Sequence, residues 1–206
     1  MVRAECNPGG TLGISTGMRR RVVITGMGVV SPNGIGKEQF SRAVLEGRSG
    51  VRRISRFDAS ALTVQIAGEV VGFDELAWVE GRERRHFSRC VPLALAASSE
   101  ALADAGLEPE KMSLEERRGM AVLLGTGGGA QDFTEQQYLL YLSGHPKQIS
   151  VYSVSNGTMG TLASEISMRF GFRGQSQVVT AACASSSAVP SAFTPARWCR
   201  RKSWPR

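Results

Sequence analysis

Gln177-Val178-Val179-Thr180-Ala181-Ala182-Cys183-Ala184-Ser185-Ser186-Ser187 decides how the rest of this chain is read. Val178, Val179 and Thr180 are β-branched and suit a short buried strand. Ala181, Ala182 and Ala184 keep the following turn narrow. Ser185, Ser186 or Ser187 could cap a helix after it. Cys183 then falls where strand gives way to helix, beside unpaired backbone N–H groups and the positive end of the helix dipole. That setting favours the thiolate, which is the nucleophilic form. The same residues also fit a small buried core cysteine, and the local sequence leaves both readings open.

The chain has 206 residues, 42% hydrophobic and 21% charged, the balance of a globular domain with its own core. No apolar run is long enough to span a membrane, and the first residues lack the apolar segment of a secretory signal. A cytoplasmic location with reduced thiols is expected. Cys6, Cys90, Cys183 and Cys199 show no metal-type pairing, and His86 and His145 are the only histidines, so no metal site is expected. The net charge of +7 invites a nucleic-acid reading. However, Arg197, Arg200, Arg201, Lys202 and Arg206 supply most of the surplus at the very end, and Arg82, Arg84 and Arg85 alternate with acids. These charges read as solvated surface that could steer an acidic partner, not as a nucleic-acid interface.

Residues 1–17 are Gly- and Thr-rich without periodicity, and a disordered leader is expected there, with Met18 the true start. Arg21 to Thr25 reads as a first buried strand. Gly26-Met27-Gly28 follows it like part of a dinucleotide fingerprint, but Ser31 stands where a third glycine would, and Pro32 stops a helix. Lys37 to Leu45 reads as a helix closed by Gly47, Gly50 to Ser60 as a basic loop, and Val64 to Val70 as a strand. Ser88 could cap a long helix from Arg89 to Ala105, with Cys90 in the core. Ser113-Leu114-Glu115-Glu116 fits a capping box. Gly119 to Gly125 reads as a buried strand leading into Thr126-Gly127-Gly128-Gly129, a loop that lacks the lysine of a phosphate-binding loop. Helices are expected from Asp132 to Leu142 and from Thr158 to Phe170, the second with Leu162, Ile166 and Phe170 on one stripe. The alternation argues for an α/β layered fold with a mainly parallel sheet. From Ala188 the pattern breaks, because Pro190 and Pro195 fall where a helix should continue. Residues 189–206 read as an aberrant basic tail, as a frameshift would leave.

Four segments carry a family resemblance: Val23-Ile24-Thr25-Gly26-Met27-Gly28, the Gly125–Gly129 loop, Phe170-Gly171-Phe172-Arg173-Gly174 and Thr180-Ala181-Ala182-Cys183. Together they resemble the β-ketoacyl-acyl-carrier-protein synthases, the type II elongating condensing enzymes of fatty-acid and polyketide synthesis. The resemblance runs from about Met18 to Ser187, so residues 18–188 correspond to the N-terminal half of a thiolase-like, layered α-β-α-β-α fold.

That resemblance implies an acyltransferase. Cys183 matches the nucleophile that takes an acyl group from acyl-carrier protein before decarboxylative condensation with malonyl-acyl-carrier protein. Its backbone N–H matches one oxyanion donor. The other donor, two histidines and a lysine belong to the family's second half, and neither His86 nor His145 stands in a matching motif. Gly128 falls at the mouth of the acyl pocket and Ser153 where a partner subunit lends a wall; both are small, which implies a wider pocket. The family needs no cofactor beyond the carrier's phosphopantetheine and is usually homodimeric. Related chain-length-factor subunits lack the cysteine. Two other readings stand beside this one: a non-enzymatic fragment or dimerising pseudo-enzyme, and a nucleotide-dependent oxidoreductase built on the Gly26–Gly28 and Gly125–Gly129 loops.

Overall fold

The computed structural model describes residues 23–185. The expected leader, the start at Met18 and the tail from residue 189 lie outside these residues.

In chain order the elements are β1 (Val30–Ser31), β2 (Gly34–Ile35), α1 (Lys37–Leu45), β3 (Val51–Arg53), β4 (Ile66–Gly68), α2 (Cys90–Asp104), α3 (Leu114–Gly119), β5 (Val122–Gly125), α4 (Gln131–Leu142), α5 (Ser153–Asn156), α6 (Thr161–Phe170) and β6 (Ser176–Val179). β5 and β6 are parallel, while β1–β2 and β3–β4 are short antiparallel pairs. The parallel pair carries the core. α6 packs across both of its strands and against α2. Val91, Leu95, Val122, Leu162, Ala163 and Ile166 are buried between them, with Phe170, Phe172 and Val178 packed alongside. The stripe of Leu162, Ile166 and Phe170 thus faces inward, as its spacing of four requires.

Local signals set most boundaries. Ser113 and Glu116 form a reciprocal capping box: the Ser113 hydroxyl accepts from the Glu116 N–H, and the Glu116 carboxylate accepts from the Ser113 N–H. Gly171 closes α6 in the left-handed conformation that favours glycine. Ser88 accepts the Cys90 N–H at 3.2 Å at the start of α2.

The expected first strand is not formed over residues 23–25. Residues 26–28 lie close against α2, and the Met27 and Val29 amides find side chains of that helix. The Met27 N–H donates to the Asp104 carboxylate at 2.9 Å and the Val29 N–H to Glu100 at 2.7 Å. Among the described residues no strand pairs with Ile24, which is 84% exposed. The Gly50–Ser60 loop contains β3, which pairs with the middle of the expected Val64–Val70 strand and shortens it to β4. α3 runs through Gly119, so β5 starts at Val122. The helix expected from Thr158 begins at Thr161, after a turn in which Thr161 hydrogen-bonds back to Thr158. α5 was not legible from periodicity because it is a single four-residue turn.

Candidate active site

β5 and β6 lie in register, with Leu124 opposite Val178 and Gly125 opposite Val179. The Thr126 N–H continues the ladder to the Val179 carbonyl at 3.1 Å. Two loops therefore leave the C-terminal ends of adjacent parallel strands together: Thr126–Gly129 from β5 and Thr180–Ser185 from β6. The carboxyl ends of parallel strands are where α/β folds place their sites. The loops touch: a Cβ on Gly127 would lie 3.4 Å from the Ala182 carbonyl oxygen.

Cys183 is a free, exposed thiol at the apex of the second loop. Ala182, just before it, has φ 47°, the one non-glycine residue with positive φ among the described residues. An alanine there is strained by about 1–2 kcal/mol. Sharp, strained turns of this kind lift a nucleophile out of a strand end. Hydrogen bonds close the turn: Ala184 N–H to Ala181 O at 3.0 Å and Ser185 N–H to Ala182 O at 3.1 Å. They engage the two amides after Cys183 and not its own. The buried Ser185 hydroxyl adds bonds to Ala181, Ala182 and Thr126.

The glycine-rich loop is held from three sides. Its own Thr126 hydroxyl accepts the Gly129 N–H at 3.0 Å. The Cys90 thiol contacts the Gly129 carbonyl at 3.3 Å. Met159 packs so closely that a Cβ on Gly129 would lie 2.5 Å from its Cγ. Cys90 is therefore a packing and hydrogen-bonding residue at the core edge.

The structure brings the Gly128 loop to Cys183 but not the other sequence candidates. Gly128 is half-buried, and a side chain there would first meet Gln131. Ser153 is the half-buried first residue of α5, and among the described residues no hydrogen bond joins it to the Cys183 turn. His86 bonds the Ser150 hydroxyl at 2.7 Å and stacks edge-on against Tyr152. Exposed His145 bonds Ser143 at 3.2 Å. Thr126, Ala182 and Ser185 are the site residues whose roles the sequence did not reveal, although a threonine three residues before a glycine and serines two to four residues after the cysteine were visible signals. An open groove of about 510 Å³ lies elsewhere, along α6 and β6, lined by Thr158, Thr161, Glu165, Met168 and Gln177 among others.

Both glycine motifs have a packing explanation. A Cβ on Gly26 would lie 2.3 Å from the Ala101 carbonyl oxygen, and one on Gly28 would lie 2.0 Å from that of Ala97. These glycines let the backbone lie directly on α2. The helix after the Gly125–Gly129 loop carries Asp132 in its first turn, which opposes a phosphate there. Among the described residues no cluster of His, Cys, Asp or Glu could hold a metal ion, and no helix is long and apolar enough to cross a membrane.

The overall fold that carries this site is similar to that of solved β-ketoacyl synthases. The chain belongs to the β-ketoacyl synthase N-terminal domain family, whose model matches residues 19–194. It is 39% identical over 157 residues to the tetracenomycin polyketide synthase ketoacyl synthase beta subunit of Streptomyces glaucescens, covering 76% of this chain and 38% of that one. It is 32% identical over 173 residues to the chloroplastic 3-oxoacyl-[acyl-carrier-protein] synthase I of Arabidopsis thaliana, covering 84% of this chain and 36% of that one. The crystal structure of a β-ketoacyl synthase from Burkholderia phymatum superposes with a TM-score of 0.69 at 26% identity, covering 89% of this chain and 45% of that one. The thiolase-like, layered α/β class follows. The chain spans less than half the length of each of these relatives.

Proposed function

We propose that this chain is the nucleophile-bearing part of a β-ketoacyl synthase of fatty-acid or polyketide synthesis, with Cys183 as the acyl acceptor. The observation that carries the reading is the exposed Cys183 thiol at the end of β6, behind the strained Ala182, in a family whose model spans the turn. The Cys183 thiolate attacks the carbonyl carbon of an acyl thioester borne on the phosphopantetheine of an acyl-carrier protein. A carbon–sulfur bond forms to Cys183, the bond to the pantetheine sulfur breaks, and that sulfur takes up the proton lost by Cys183. The Cys183 N–H is one donor to the oxyanion of the tetrahedral intermediate. In the second half-reaction malonyl-acyl-carrier protein loses carbon dioxide, its carbanion attacks the Cys183 thioester, and the cysteine leaves as thiolate. Arg82 and Arg85, exposed in the turns before α2, suit an acidic carrier protein; Arg84 is instead engaged with Glu75. Gly128 and Ser153 belong to the acyl pocket, homodimerisation completes its wall, and the protein works in the cytoplasm.

The test is incubation with acyl- and malonyl-acyl-carrier protein while acyl transfer and carbon dioxide release are followed separately. Acyl transfer to the chain is expected. Carbon dioxide release reports the decarboxylative half-reaction separately from acyl transfer. Absence of transfer from a folded chain contradicts the proposal. A second reading, a non-catalytic subunit, draws on the 39% identity to a beta subunit. The retained Cys183 opposes it, and the transfer experiment decides between the two.

A further inference from the structure

Within residues 181–185 the chain reads Ala-Ala-Cys-Ala-Ser, so apart from the nucleophile itself Ser185 is the only side chain of the turn able to hydrogen-bond. It is 2% exposed. Its Oγ accepts the Ala181 N–H at 2.9 Å and lies 2.6 Å from the Ala182 carbonyl oxygen and 3.0 Å from that of Thr126. A hydroxyl has one proton to give and two lone pairs, so these two carbonyls compete for a single proton. One carbonyl belongs to the cysteine turn. The other belongs to the residue at which the glycine loop leaves β5, whose own hydroxyl accepts the Gly129 N–H.

We propose that Ser185 is a positioning residue that holds the Cys183 turn in register with the Thr126–Gly129 loop, an inference that rests on Cys183 being the acyl acceptor. The strained φ of Ala182 persists only if the surroundings over-determine it. Ser185 supplies that restraint, bonding the residue before Ala182 through its amide and Ala182 itself through its carbonyl. The peptide plane between Ala182 and Cys183 contains both that carbonyl and the Cys183 N–H, so fixing one aims the other. The second acceptor couples the aim to the glycine loop. With one proton and two acceptors, the hydroxyl keeps a partner when loop and turn shift relative to each other as an acyl chain enters. Removing it leaves the Ala181 N–H and a carbonyl without this partner, and leaves Cys183 exposed but no longer aligned.

The experiment is single-turnover acyl transfer from hexanoyl-pantetheine to the full chain, comparing wild type, Ser185→Ala and Ser185→Thr, with circular dichroism confirming fold. For Ser185→Ala the expected result is a maximum rate lower by about tenfold, with the half-saturating donor concentration unchanged. Ser185→Thr, which keeps the hydroxyl, restores the rate. Wild-type kinetics in a folded Ser185→Ala overturn the role of Ser185 and leave that of Cys183 standing. A folded wild type that accepts no acyl group overturns the reading of Cys183 and this inference with it. If Ser185→Ala does not fold, amide hydrogen exchange of the wild type decides: a slowly exchanging Ala181 amide is expected, and exchange at the unprotected rate overturns the inference.

Discussion

The Cys90 thiol lies 3.3 Å from the carbonyl oxygen of Gly129, which fastens the first turn of α2 to the glycine loop beside Cys183. The same glycine has φ +58° and its missing Cβ is occupied by Met159. Gly129→Ala therefore meets both a strained backbone and a collision. A loss of about 2–3 kcal/mol in urea denaturation is expected. Adding Met159→Ala should recover only the steric share, since the backbone conformation is untouched; full recovery contradicts the account of φ.

Gly28 is tighter still, because a Cβ there would press on backbone, 2.0 Å from the Ala97 carbonyl oxygen. No side-chain movement relieves that. Gly28→Ala should detach residues 26–29 from α2, and amide hydrogen exchange should show the Val29 N–H losing protection. Titration of the wild type with NADH should leave intrinsic fluorescence unchanged, since these glycines meet a helix and not a pyrophosphate.

Carboxylates tie distant segments together, and their protonation sets the acid limit of stability. The Lys37 side chain, then the Met27 N–H, hold the Asp104 carboxyl below its ordinary pKa. Partial burial works to raise the Glu75 pKa, but bonds to Arg89 and Arg84 outweigh it and leave it lowered. A depressed folded pKa gives stability that is present above the unfolded value and lost as pH falls through the folded one. The urea midpoint should hold down to about pH 5 and drop below about pH 4. Glu75→Gln should cost about 2 kcal/mol at neutral pH, because two half-buried guanidinium groups lose their counter-charge and one of the two oxygens that accept from them becomes a donor. A midpoint that rises on acidification contradicts this assignment.

Glu165 has the opposite sign. Burial, then the neighbouring charge of Glu83, raise its carboxyl pKa. The stability it contributes is present below the unfolded pKa and lost as pH rises through the folded one. Glu165→Gln should raise the urea midpoint at neutral pH and leave it unchanged near pH 4; equal midpoints at both pH values contradict the assignment.

How much of this was legible depended on how far apart the interacting residues are in sequence. Lys37–Leu45 has the bounds its pattern predicts, and the Ser113–Glu116 box and the Gly171 cap carry their signals within a few residues. Residues 23–25 misled because Val and Ile there satisfy strand propensity, whereas the amides beside them find Glu100 and Asp104, 71 and 77 positions away. At the site, the strand-then-turn pattern predicts the place of Cys183 just past a strand end, but the strain at Ala182 and the Ser185–Thr126 bond arise from register between two strands and leave no periodic trace. His86 could be set aside from motif alone, but its bond to Ser150 could not be foreseen from the sequence.

The most direct test of the central claim is intact-mass spectrometry, with peptide mapping, after incubation with an acylated acyl-carrier protein, comparing wild type with Cys183→Ala. The account predicts a mass gain of one acyl group on the peptide containing Cys183, absent from the variant. A folded wild type that gains no mass, or that gains it equally in Cys183→Ala, contradicts the claim that this cysteine is the acyl acceptor.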